Sequence, residues 1–209
     1  MKDFNWVDIH RADAKTHYPW LRVHVDKVPE IVNKYVNTEV NLYSTLQRFD
    51  NPEHQDNEIE YCPLAFDFDC STDIEKSYAD CKVVVNYFVE YGLGISPEEM
   101  MTYFSGNRGF HIVINAEIFG AEPMIDMNKV WRVLVTHLNK EWKIPTTGDN
   151  KLDISTYIRR KAWRIPNTKH LKTGLYKRAL TFDELMSGVN NIKELAKESC
   201  GWISLVEVI

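Results

Sequence analysis

An apolar run, Cys62-Pro63-Leu64-Ala65-Phe66, ends in Asp67-Phe68-Asp69. A strand alternates its side chains with period two, so both carboxylates share one face while Ala65, Phe66 and Phe68 pack the strand. Two anions held this close repel each other. A divalent cation between them relieves the repulsion, and hard oxygen donors suit Mg²⁺ or Mn²⁺. The pattern therefore calls for a sheet that presents acids from one strand, and for metal-assisted chemistry on phosphates.

The bulk properties narrow the setting. A chain of 209 residues, 44% hydrophobic and 12% aromatic, can bury a core as one domain or as one domain built from two small α/β modules. No apolar run reaches the roughly 20 residues that span a bilayer. The start, Met1-Lys2-Asp3-Phe4-Asn5-Trp6, has no apolar segment of a secretory leader. A cytoplasmic protein without a membrane partner is expected. Cys62, Cys70, Cys81 and Cys200 form no C-x-x-C pair, which argues against a zinc finger and for reduced thiols in or near the core. The net charge is −5, yet between Lys151 and Arg178 nine Lys and Arg face one acid, Asp153. Tyr157, Trp163, Pro166 and Tyr176 interleave that run, a composition that suits a polyanion better than a solvated face.

Periodicity gives a coarse order of elements. Strands are expected at 21–26, 42–49, 62–69, 101–104 and 110–114, and residues 50–60 read as an acidic polar loop. Pro29 opens a helix to about Val40, with Ile31, Val32, Tyr35 and Val36 as its stripe. Thr72 and Glu75 have capping-box spacing ahead of a helix whose face is Ile74, Tyr78, Cys81, Val85 and Phe88, with Gly92 as a stop. A further helix spans about Met127 to Trp142, with Val130, Leu134 and Leu138 inward, and is broken by Pro145 and Gly148. Short helices near 182–187 and 190–198 take Thr181 and Asn190 as caps. The order implies an α+β fold with a mixed sheet covered by helices.

Two constellations join the acidic pair. In Ser105-Gly106-Asn107-Arg108-Gly109-Phe110-His111, the glycines allow positive φ and close approach of a ligand, Ser105 and Arg108 add donors, and His111 reaches the same place. Arg164, His170 and Lys172 lie on a proline-stiffened segment that starts at Trp163, ten residues after Asp153 of Leu152-Asp153. Three carboxylates can hold two divalent ions, and the cations suit a triphosphate.

These motifs, in this order, resemble the archaeo-eukaryotic primase superfamily of primase small subunits, primase-polymerases and ligase-attached polymerase domains. That family carries h-h-D-h-D, then S-G-x-R-G-x-H, then h-D followed by a basic stretch ending near H-x-K-T-G. The resemblance covers about 60 to 180. It implies an RRM-like catalytic sheet, mixed or antiparallel, packed with helices beside an N-terminal α/β module. Residues 1–209 would form a single catalytic domain, with about 1–60 in the N-terminal module and about 61–180 carrying the motifs. Asp67, Asp69 and Asp153 are implied as catalytic ligands of two Mg²⁺ or Mn²⁺ ions. Ser105, Gly106, Arg108, Gly109, His111, Arg164, His170 and Lys172 are implied to bind the nucleotide, with Tyr43 near the sugar. Asn107 stands where primases often carry a second Arg, and the cysteines of an inserted zinc module are missing. The implied partners are a single-stranded DNA template with its primer, dNTP or NTP, and accessory primase domains or a helicase.

Two other readings use the same residues. A HAD-type phosphatase would take Asp67 as nucleophile, Ser105 after Phe104, Lys140 or Lys143, and Gly148-Asp149-Asn150-Lys151-Leu152-Asp153. A nucleic-acid-binding module without catalysis would keep the fold alone. The apolar ending Trp202-Ile203-Ser204-Leu205-Val206-Glu207-Val208-Ile209 suggests that the chain was cut from a longer protein.

Overall fold

The computed structural model describes residues 3–13, 19–36, 38–92, 94–141 and 152–200. Two antiparallel sheets form its frame. The first contains β1 (Trp6–Ala12), β2 (Leu21–His24), β3 (Asn41–Phe49), β4 (Ile59–Tyr61) and β8 (Met124–Ile125) in the order β2-β1-β3-β4-β8, and β9 (Trp163–Arg164) also pairs with β3. The second contains β5 (Leu64–Asp69), β6 (Met100–Phe104), β7 (Gly109–Ile114) and β10 (Arg178–Leu180) in the order β10-β6-β7-β5. Both β5 and β6 run antiparallel to β7, so they are parallel to each other. Helix α2 (Ile74–Asn86) joins them, which makes a split β-α-β unit with β7 as the middle strand. The expected α+β class holds, and the described pairings are antiparallel rather than mixed.

The alternation of β5 and β7 separates chemistry from packing. Phe68, Phe110 and Phe104 are register partners across β5, β7 and β6, and all three are buried. Phe66 packs on Phe88, and Phe110 on Tyr78 of α2. The next register row, Asp67, His111 and Tyr103, lies on the opposite face. The helical face Tyr78, Cys81, Val85 and Phe88 is buried as its spacing predicts, and Ile74 packs at its margin.

Several boundaries differ from expectation for local reasons. Asp73, not Thr72, caps α2: its backbone is extended, and its Oδ1 accepts the Glu75 N–H at 2.9 Å. Helix α1 (Val28–Tyr35) stops short of Val40, because Thr38 donates its hydroxyl to the Tyr35 carbonyl at 2.8 Å. In α3 (Met127–Glu141) the inward stripe is Met127, Trp131, Val135 and Leu138. Leu134 is only partly buried, and Val130 is 46% exposed. Helix α4 (Phe182–Met186) has the Thr181 cap, closed reciprocally by Glu184, while α5 (Val189–Leu195) begins after Gly188 rather than at Asn190. Strand β2 ends at His24, where a 3-10 turn, Val25–Lys27, takes over. Trp142, Lys143, Pro145, residues 148–151 and the ending from Trp202 lie outside the described residues.

Strand β1 escaped the periodicity because Asp8, at its centre, is fully buried. Arg22 donates from Nε to Asp8 Oδ1 and from Nη1 to Glu58 Oε2, both at 2.7 Å. Arg159 reaches Glu58 at 2.8 Å, and Arg160 reaches Asp8 at 3.0 Å. The acidic loop is thus partly folded onto the first sheet, and two cations of the basic run are engaged there. A small core of Val7, Ile9, Val28, Val32, Leu42 and Ile165 lies beneath α1. By alternation, His10, Tyr43 and Arg164 project from the opposite face of that sheet. Cys62 and Cys81 are buried free thiols; Cys70 and Cys200 are half-buried.

Candidate active site

A pocket of about 200 Å³ opens where the two sheets meet. The second sheet contributes Asp67, Asp69 and His111, and the turn between β6 and β7 contributes Ser105, Asn107, Arg108 and Gly109. The first sheet contributes Tyr43, Trp163 and Arg164, and the following loop adds His170. Nine of the twelve sequence-derived site residues therefore meet in one cavity. Asp153, Gly106 and Lys172 lie outside its lining.

Asp67 faces His111 in register, with Nε2 3.5 Å from Oδ1. Burial pushes the Asp67 carboxyl up to about 6, opposed by Lys161 and helped by the charges of Asp69 and Asp153. Burial also drives His111 well below the ordinary imidazole value, assisted by Lys177, Arg164 and Lys161. A neutral imidazole therefore meets the carboxyl, and the contact is not an ion pair. The ring packs edge-on against Trp163, with centroids 4.3 Å apart. Asp69 is more open and is held by Arg108, whose Nε lies 2.8 Å from Oδ1.

Asp153 comes from outside both sheets. It caps a 3-10 turn, Ile154–Tyr157, and accepts from the Ser155 N–H and hydroxyl at 2.7 Å each. Lys161 Nζ stands 4.0 Å from its Oδ2. Asn139 of α3 brackets Leu152 through both amide groups, and the Tyr157 hydroxyl donates to the Ala65 carbonyl on β5. These bonds dock the turn beside the acidic strand, near enough for Asp153 to raise Asp67. It does not line the pocket itself.

The glycine turn is tight for two different reasons. Ser105 N–H donates to the Gly109 carbonyl at 2.9 Å, and Gly109 N–H donates back to Ser105 Oγ at 3.1 Å. Gly106 has φ +87°, and a Cβ there would lie 2.9 Å from the Leu175 carbonyl oxygen. Gly109 lacks positive φ, contrary to expectation. It needs room, because a Cβ would lie 2.9 Å from the Phe68 carbonyl oxygen. Thr173 donates to the Gly106 carbonyl at 2.5 Å, tying the turn to the basic loop.

Arg164 is placed by strand pairing with Tyr43. It donates to Asn41 Oδ1 at 2.7 Å and to the Lys169 carbonyl at 3.2 Å, and lies 5.2 Å from the Tyr43 ring centre. Burial lowers its basicity and that of His170. His170 Nδ1 accepts the Lys172 N–H at 3.2 Å, while the Lys172 side chain is exposed and does not line the pocket.

Lys177 and Lys161 are charges that motif spacing did not single out. Lys177 is 3% exposed, with its amine 4.8 Å from the Tyr103 ring centre and 5.1 Å from that of Trp163. Burial pulls its amine down to about 7, and Asp67 works against that shift. Its signal in the sequence was the apolar setting Leu175-Tyr176-Lys177, which suits a buried strand rather than a cationic surface.

Among the described residues, no group of three or more His, Cys, Asp and Glu is gathered closely enough to hold a metal ion. Asp69 is turned to Arg108, and Asp153 to Ser155 and Lys161. The donor chemistry nonetheless fits a hard cation. Asp67 and Asp69 share one face of the strand, and Asp153 lies near enough that its charge, like that of Asp69, adds to the effect of burial in raising Asp67; carboxylate oxygens are the donors such a cation takes.

No protein-family model matches the chain, and no curated protein matches it in sequence. Among solved structures it is similar to the polymerase domain of Mycobacterium tuberculosis ligase D, solved in complex with DNA. The TM-score is 0.55 at 14% identity, covering 90% of this chain and 70% of that one. It is also similar to the AEP domain of the cyanophage S-2L primase-polymerase, with a TM-score of 0.46 at 10% identity, covering 84% and 80%. The chain therefore shares its fold with the ligase D polymerase domain.

Proposed function

We propose that this chain is a template-directed nucleotidyl transferase, a DNA primase or primase-polymerase. The observation that carries the reading is one pocket in which Asp67 and Asp69 from one sheet face Arg108, Arg164, His111 of the second sheet and His170 of the basic loop. Anions and cations so divided suit a triphosphate, with its phosphates at the cations and its reacting end toward the acids. Asp67, Asp69 and Asp153 would hold two Mg²⁺ or Mn²⁺ ions. Such ions, when bound, make a 3′-hydroxyl more acidic and neutralise the pyrophosphate leaving group.

The protein's own groups do the rest. Arg108 and Arg164 neutralise phosphate charge, with Arg164 held by Asn41 and Tyr43. Tyr43, which lines the same pocket, would face the sugar. His111 is neutral and donates or accepts without adding charge. Lys161 and Arg108, now against Asp153 and Asp69, are available to turn toward phosphate oxygens. The ligase D polymerase domain was solved with DNA, which favours nucleic acid as the partner; in this reading it is a single-stranded template with its primer.

Labelled nucleotide incorporation on primed and unprimed single strands, with each nucleotide type and each metal, tests the reading. Template-dependent, metal-dependent products are expected. A covalent aspartyl-phosphate on Asp67, or phosphate release without incorporation, would favour the phosphatase instead. The Gly148-to-Lys151 part of that motif lies outside the described residues.

A further inference from the structure

A line of rings runs out of the pocket across the first sheet. Tyr43 pairs in register with Arg164 on one side and with His10 of β1 on the other. The His10 ring lies 6.1 Å from the Tyr43 ring, and Trp20 lies 5.1 Å beyond it. The successive rings are inclined by 35° and 36°. All three are half-buried, and they lie on the sheet face opposite α1. Such a row is unusual on a solvated face, because a ring left partly exposed keeps apolar area in water.

Charge in the neighbourhood does not oppose an anionic ligand. Arg164 closes one end of the row. The nearest acid on β1, Asp8, is fully buried and held by Arg22 and Arg160. Rings spaced 5 to 6 Å apart along a sheet cannot sit inside one continuous base stack. They can each take one splayed base, as aromatic residues on nucleic-acid-binding sheets do.

We infer that Trp20, His10 and Tyr43 form a stacking track for single-stranded nucleic acid, which leads a template strand across the first sheet into the nucleotide pocket. The inference rests on the polymerase reading for the word template, but the binding itself does not require chemistry. The track fits a strand whose bases are free; a paired duplex buries the faces that the rings would cover.

Fluorescence anisotropy with a short fluorescein-labelled oligothymidylate, in the presence of chelator, reads the track directly. Trp20→Ala is expected to weaken binding by about tenfold, the loss of one stacked base. Trp20→Phe is expected to recover most of it, while affinity for a nucleoside triphosphate alone does not move. Equal oligonucleotide affinity in the parent and in a folded Trp20→Ala, His10→Ala double variant would overturn the track. Photo-crosslinking of an iodouridine oligonucleotide to the unaltered protein needs no substitution. Adducts at Trp20, His10 or Tyr43 support the track, and adducts confined to the second sheet overturn it. Ring-dependent binding without nucleotide incorporation would leave the track standing and remove the polymerase reading.

Discussion

Asp67 and His111 are directly opposed across β5 and β7, with an imidazole nitrogen 3.5 Å from a carboxylate oxygen. Their shifts run in opposite directions for one reason. Burial disfavours charge on both, so a neutral imidazole faces a carboxyl that holds its proton up to about pH 6, and the contact is not an ion pair. In the proposed reaction a divalent cation would displace that proton.

Replacing Asp67 or Asp69 by Asn should reduce nucleotide incorporation by roughly 10³-fold, the equivalent of about 4 kcal/mol of transition-state stabilisation. Steady-state incorporation, with circular dichroism to confirm folding, checks this. Normal extension by either variant would remove both from the catalytic centre.

Incorporation should also fall as pH drops through about 6, because Asp67 then holds a proton that a metal must displace. Raising the metal concentration should shift the midpoint to lower pH. For the chelated protein the sign is opposite. The folded-state value lies above the ordinary one, so the Asp67 contribution to stability is present below about 4 and is lost as pH rises through about 6.

Lys177→Met should stabilise the chelated protein by about 1–3 kcal/mol near pH 6. The folded amine sits at about 7, below its ordinary value of 10.5, so the unfolded chain binds the extra proton between those limits. Parent stability therefore rises with pH across that window, and the advantage of the variant should shrink there. Denaturant unfolding from pH 6 to pH 10 measures the difference.

Gly106→Ala should destabilise the fold by about 1–3 kcal/mol, since a side chain is added at positive φ and against the Leu175 carbonyl. The loss should appear as a lower thermal midpoint and as weaker nucleotide binding, because Thr173 is tied to the same carbonyl.

Arg22→Met would leave Asp8 and Glu58 buried with fewer partners, and should cost about 3–5 kcal/mol. Arg22 and Arg159 hold Glu58 below the ordinary carboxylate value, against its burial. That part of the stability is present above about 4.5 and is lost as pH falls through the lower folded value. Acid titration of unfolding should show the parent losing stability in that range and the variant losing less.

Strand and helix periods placed β3, β5, β6, β7 and α2 almost where they lie, because each has one apolar face and a period that reveals it. Strand β1 was invisible to the same test. Asp8 sits in its middle, and Arg22 and Arg160, with His54 3.7 Å away, come from other segments to make its burial tolerable. The stripe of α3 was misplaced for a related reason. Met127 and Trp131 face inward because the Trp131 indole N–H donates to the Cys62 carbonyl at 2.7 Å, a partner remote in sequence.

The acidic pair was legible in the chain itself, since a strand's period of two admits no other arrangement of Asp67 and Asp69. So were the glycine turn and the basic loop, whose residue types carry their chemistry locally. What surrounds the pair was decided by the tertiary structure. Pairing of β9 with β3 brings Arg164 to Tyr43, a docked 3-10 turn brings Asp153 near, and Lys177 becomes a buried charge only when Tyr103 and Trp163 enclose it. Alternation is a property of neighbours in sequence. Desolvation and the meeting of two sheets depend on residues more than a hundred positions apart, such as Tyr43 and Arg164, and only folding brings them together.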